Sequence, residues 1–128
     1  MTITVDGIDY AVTAKKITRK AVPLDKSAER TASGDLNREL IGIFLNYVLE
    51  INYTQDAAAY DAFWNKLTEA VEFHTITVPT EGGSITFTAY IAGQGVTDEI
   101  FMTTIDGLHH WQNLSFEFIA KSPWRVPA

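Results

Sequence analysis

From position 41 to position 53 every odd residue is apolar: Ile41, Ile43, Leu45, Tyr47, Leu49, Ile51 and Tyr53. Side chains alternate across a strand, so strict period-2 patterning of this length describes one strand with a buried face. A helix is the competing reading, because Ile41, Phe44, Leu45 and Val48 also fall at i, i+3, i+4 and i+7. The strand is preferred: all the odd positions fit it, whereas Gly42 and Asn46 interrupt a helix. At about 3.3 Å per residue the segment spans roughly 40 Å, about twice an ordinary strand. A strand that long in a chain of 128 residues exceeds what one core needs. It points to assembly rather than catalysis.

The segments around it set the topology. Asp6-Gly7, between alternating apolar residues, is a two-residue type I′ hairpin signal that pairs Val5 with Ile8 and Ile3 with Tyr10 on one face. The second strand of that hairpin can continue through Val12 toward Ile17. Residues 18–38 are polar, carry Pro23 and Gly34, and show little apolar periodicity, which predicts a long polar loop. Residues 55–72 form the clearest helix. Thr54 or Asp56 can cap it, and Tyr60, Phe63, Trp64, Leu67, Ala70 and Val71 make its apolar stripe. His74, Ile76 and Val78 alternate up to Pro79. A glycine-containing turn follows, then Ile85, Phe87, Ala89 and Ile91 in a returning strand. Residues 100–105 suggest a short strand, Asp106-Gly107 another turn, and Leu114, Phe116, Phe118 and Ala120 a last strand. The expected fold is therefore a single α+β domain over 1–128: an antiparallel β-sandwich or barrel with one flanking helix.

Composition narrows the function. A net charge of -6 argues against a nucleic-acid-binding surface. The absence of cysteine excludes disulfides and thiolate metal sites. The first residues, MTITVDG, have no basic segment followed by an apolar one, so no signal peptide is expected. No apolar run is long enough to predict a membrane span. His109-His110 with His74 is the sole histidine grouping, and adjacent histidines on a strand point to opposite faces. No HExxH or comparable spacing supports a metal site, and the expected reading is surface histidines near a turn, with His74 at a strand start. Gly93 and Gly95 make half of a phosphate-binding fingerprint without its helix or third glycine, so they read as a loop. No nucleophile motif is present. No catalytic residue, cofactor or metal is expected.

Trp124, beside Arg125 in the segment SPWRVPA, has the composition of an interface anchor. A fold-back of that tail onto the core is an equal alternative.

In this order the segments resemble the small tail structural proteins of tailed bacteriophages and prophages. The resemblance rests on the VDGIDY hairpin, a polar loop with Arg30, Gly34 and Arg38, the strand IGIFLNYVLEINY, the helix YDAFWNKL, the segment HTITVPTEGGSITFTAYI and the closing WQNLSFEFIAKSPWR. It implies the tail-tube fold shared by tube, distal-tail and baseplate-hub proteins, and it leaves tube, distal-tail, terminator and completion roles open. It also implies a non-enzymatic protein that joins copies of itself edge to edge into rings, commonly hexameric, that stack into a tube with other tail proteins. Such a protein is found in the host cytoplasm during assembly and then in the virion tail. Arg30, Gly34, Arg38, Trp124 and Arg125 are the candidate assembly interface. The alternative is a small soluble binding module with an apolar pocket between helix and sheet, near Tyr47, Phe63 and Trp64.

Overall fold

The computed structural model describes residues 3–30, 32, 34, 36–52, 54 and 56–127, and the side chains of all of these except 26–30 and 36–38. The chain is mostly antiparallel sheet with one helix. The elements are β1 (Ile3–Val5), β2 (Ile8–Tyr10), β3 (Ala14–Arg30), β4 (Leu36–Ile51), α1 (Ala57–Leu67), β5 (His74–Thr80), β6 (Gly83–Ile91), β7 (Thr97–Thr103) and β8 (His109–Ala120). Their order in the sheet is β2-β1-β5-β6-β8-β4-β3, and β7 takes over beside β8 where β6 leaves it.

The first hairpin has the register its turn dictates: Ile3 opposite Tyr10 and Val5 opposite Ile8. Asp6 and Gly7 both have positive φ, 52° and 80°, as a type I′ turn requires. Ile3 and Val5 are fully buried, while Ile8, on the outermost strand, remains exposed. β2 does not run on toward Ile17. The Val12 N–H turns back to the Tyr10 carbonyl at 2.9 Å, which breaks the strand and buries Val12.

The alternating segment is a strand. Leu45, Tyr47, Leu49 and Ile51 are its buried face, but Ile43 is only partly buried and Ile41 is 42 % exposed. Tyr53 lies outside the described residues. The odd face is therefore core over one half of the strand only.

The expected polar loop over 18–38 is corrected most sharply. Residues 14–30 form a second long strand, paired antiparallel with β4 from Ala14 opposite Ile51 to Arg30 opposite Leu36. A period-2 pattern arises only when one face is dry and the other wet. β3 is the edge of the sheet, and Lys16, Thr18, Lys20, Val22 and Leu24 are exposed, so nothing imposes alternation on it. Pro23 is tolerated on such an edge, where alternate N–H groups face solvent rather than a partner strand.

The helix is shorter than the expected 55–72. Asp56 is the N-cap, accepting a hydrogen bond from the Ala59 N–H at 3.0 Å. Tyr60, Phe63 and Leu67 are buried, with Phe63 between Tyr10 of β2 and Phe116 of β8 at ring separations of 5.2 and 5.9 Å. Beyond Leu67 the stripe has nothing to cover: Val71 is exposed, and the helix stops at Thr68, whose hydroxyl donates to the Trp64 carbonyl. One short helix cannot cover so broad an apolar face. The sheet closes the rest by curling. The Tyr47 hydroxyl donates to the Pro79 carbonyl at 2.9 Å, although two strands separate β4 from β5 in the sheet. The curl stops short of closure, because β2 and β3 at the two ends do not pair with each other, and this removes the barrel alternative.

Candidate assembly interface

Two hairpins leave the body of the sheet. The first is formed by β3 and β4. β4 pairs with β8 from Tyr47 to Ile51, the Ala120 N–H donates to the Asn46 side-chain oxygen at 3.2 Å, and beyond that a bridge joins Ile43 to Arg125. From Gly42 to Leu36 the described ladder of β4 is with β3 alone, an arm of roughly 20 Å at the usual strand rise. Leu24 and Ile41 are exposed on it, and Val22 just below it. Gly34, at the turn, has a φ of 92°, a conformation glycine adopts without strain. Arg30 and Arg38 belong to this arm by backbone position, opposite Leu36 and Ala28, but their side chains lie outside the description. Gly34, Arg30 and Arg38 thus share one arm, whereas Trp124 and Arg125 lie at its base.

That base is fastened by the tail. The Ile43 N–H donates to the Arg125 carbonyl at 2.8 Å, and the Trp124 N–H donates to the Ile43 carbonyl at 2.8 Å. Gly42 makes this possible. A Cβ there would lie 2.7 Å from both the Arg125 oxygen and the Pro123 Cβ. Fold-back and exposure are therefore both realised: the tail backbone docks on β4, while the Trp124 side chain stays 44 % exposed under the Arg125 guanidinium, 4.0 Å from its ring. A hollow of about 710 Å³ opens beside Trp124, bounded by Arg19, Leu45, Glu81 and Ile85 among others. Nothing in the sequence pattern marked Gly42 as a contact point, since it read only as a residue that interrupts a helix.

The second hairpin is β7 with the first half of β8, from Thr97 opposite Ser115 to Thr103 opposite His109. Its expected turn at Asp106-Gly107 is present, with a Gly107 φ of 86° and the Thr104 hydroxyl bonded to the Asp106 carboxylate. Ile100, Phe101, Met102, Leu108 and Trp111 are about half exposed, and Ile105 is fully exposed. The periodicity of residues 100–105 suggested only a short strand. Its apolar character, which ordinarily signals burial, here marks a projecting element.

The histidines separate as strand geometry requires: His109 is exposed and His110 is buried. His74 is buried at 3 % exposure, and its Nδ1–H donates to the Asp6 carboxylate at 2.7 Å. Burial would raise the Asp6 carboxyl. The His74 bond, the Thr75 N–H at 2.8 Å and the charges of His74 and Lys66 outweigh it and hold it below the usual carboxylate range. Asp6, Glu69 and His74 bring one ligand atom each within 4.8 Å of one another, a set that could hold a metal ion. The Lys66 ammonium already supplies a cation there, 3.1 Å from Glu69 and 3.9 Å from Asp6. Burial and the neighbouring Asp98 carboxylate push the Tyr60 hydroxyl well above its ordinary range, and it donates to Asp98 at 3.1 Å. These bonds tie turn to strand and helix to β7. They read as fastenings rather than as reacting groups.

No helix among the described residues is long and apolar enough to cross a membrane. No known protein-family model matches the chain, and no curated protein matches its sequence.

Proposed function

We propose that this chain is a non-enzymatic structural subunit of a bacteriophage or prophage tail, joining copies of itself through sheet edges and the β3–β4 arm into rings or a tube. The observation that carries the reading is the arm. Beyond Ile43 the two described strands pair with each other alone, and two large apolar side chains, Leu24 and Ile41, are exposed along them. A long unpaired edge is a template for another strand, and monomeric proteins shorten, cover or break such edges. The curled sheet is, in this reading, a β-sandwich whose two halves face each other across the core. Hexameric rings, with other tail proteins as further partners, are the proposed product, made in the host cytoplasm and carried in the virion tail.

A binding module with its pocket near Phe63 has less support, because Tyr10 and Phe116 pack against Phe63 there. The hollow between helix and sheet, about 390 Å³, lies instead between the start of α1 and residues 107–111. The test is electron microscopy of concentrated protein. Rings or tubes of uniform diameter are expected. A field of single small particles at every concentration contradicts the proposal.

A further inference from the structure

The hollow of about 710 Å³ beside Trp124 lies between the β3–β4 ladder, the turn that joins β5 to β6, and the tail. A second hollow of about 370 Å³ shares Leu45, Ile85 and Trp124 with it and adds Phe87. Together they make a trough with an apolar floor, within the range of roughly 300–1,000 Å³ usual for small-molecule sites. Its charge is one-sided. Arg19 and Arg125 line the first hollow against a single carboxylate, Glu81, and no carboxylate lines the second. Among the described residues neither guanidinium has a carboxylate within ion-pair distance. Both are nonetheless placed. Strand alternation sets Arg19 on the same face as Ile17, which packs against the core, and opposite Tyr47 of β4. Arg125 is fixed by its backbone bonds to Ile43 and by stacking on the Trp124 ring at 4.0 Å.

We propose that this trough binds a small organic anion, its carboxylate taken by Arg19 and Arg125 and its flat apolar body lying on Leu45, Ile85 and Trp124. The charge selects the headgroup. A guanidinium stacked on a ring keeps its N–H edge free, and that edge matches a carboxylate through two parallel hydrogen bonds. Arginine stays protonated at any ordinary pH, so the trough remains cationic within an acidic protein. The floor selects the body. An inorganic anion would leave Leu45, Ile85 and Trp124 wet, whereas a neutral aromatic would leave both guanidiniums without an acceptor. The site is complete within one copy, so it is independent of ring assembly.

The probe is naphthoate, and its control is naphthamide, the same ring system with a neutral headgroup. Each is titrated into dilute isotope-labelled protein while NMR records the arginine Nε–H and tryptophan indole N–H resonances. Naphthoate is expected to bind with a Kd below about 1 mM and to shift Arg19, Arg125 and Trp124. Naphthamide is expected to bind about tenfold more weakly, for want of the charge-assisted bonds. Arg19→Gln and Arg125→Gln should each weaken naphthoate binding by about tenfold as well. Lys16→Gln, which removes a charge from the opposite face of β3, should leave it unchanged. The comparison of acid with amide on the unaltered protein holds even where a variant fails to fold. Equal binding of the two probes would reduce the trough to an apolar hollow without a preference for anions. Equal weakening by Lys16→Gln would assign the effect to overall charge. Absence of shifts at Arg19 and Arg125 up to about 10 mM naphthoate would mean that the trough takes no such ligand. Each of these three results overturns the proposal.

Discussion

Gly42 and Asp6 show how much of this fold depends on single residues that carry no hydrophobic signal. Gly42 leaves room for the tail carbonyl and Pro123, each 2.7 Å from where a Cβ would stand. Gly42→Ala must therefore move the tail or strain β4, at a cost of roughly 1–3 kcal/mol by analogy with overpacked cores. Amide hydrogen exchange at Ile43 and Trp124 should accelerate in that variant; unchanged exchange at both would show that the tail does not rest on Gly42. Asp6 occupies a left-handed turn position and also bonds His74 and Thr75. Asn tolerates the same backbone, so Asp6→Asn removes the charge without straining the turn. Because solvent screens part of this pair, the expected loss is about 1 kcal/mol near neutral pH. Its pH dependence follows from the direction of the shift. The Asp6 carboxyl lies below its ordinary value in the folded protein, so its contribution is present above the unfolded value of about 3.9 and is lost as pH falls through that range. Urea midpoints of the wild type and Asp6→Asn should stay apart from pH 6 to about pH 4 and converge only below it; a constant gap down to about pH 2 would mean that Asp6 contributes packing rather than charge.

Among the elements, those with one wet and one dry face could be read from the chain. The first hairpin, β4, β5 and the Asp56 cap follow from alternation, turn chemistry and capping preference. β3 could not be read in this way. An edge strand exposed on both faces has no period, and Pro23 and the charged residues of 18–30 look like loop. Helix α1 ended early for the converse reason: Ala70 and Val71 continue the stripe in sequence but have no surface to meet. The stripe that does meet one is tightly held, and Phe63 is fully buried between two other rings. Phe63→Ala should cost about 3–5 kcal/mol. Thermal unfolding followed by circular dichroism measures it, and a loss below about 1 kcal/mol would mean that the helix is a dispensable cover. Of the candidate interface, Arg30, Gly34 and Arg38 were placed in one segment by their polar context. The apolar β7–β8 arm was missed, because hydrophobicity in a sequence signals burial and cannot distinguish a core from a contact awaiting a partner.

At the scale of the whole molecule, the chain is a small curled sheet with two projecting hairpins. The body accounts for its own stability: its core is filled by residues from β1, β2, β4, β5, α1, β6 and β8. The arms are not accounted for by that core. They expose apolar side chains, at a cost in solubility and edge protection that a purely monomeric fold has no reason to bear. The net charge of -6 conceals one local cluster, since Lys15, Lys16, Arg19 and Lys20 fall together in the first half of β3. The most direct measurement is the mass of the purified protein by light scattering across a hundredfold range of concentration at low salt. The account predicts growth from a single 14.2 kDa chain to a discrete ring mass or a continuing series of higher masses. A mass fixed at one chain over the whole range would contradict it.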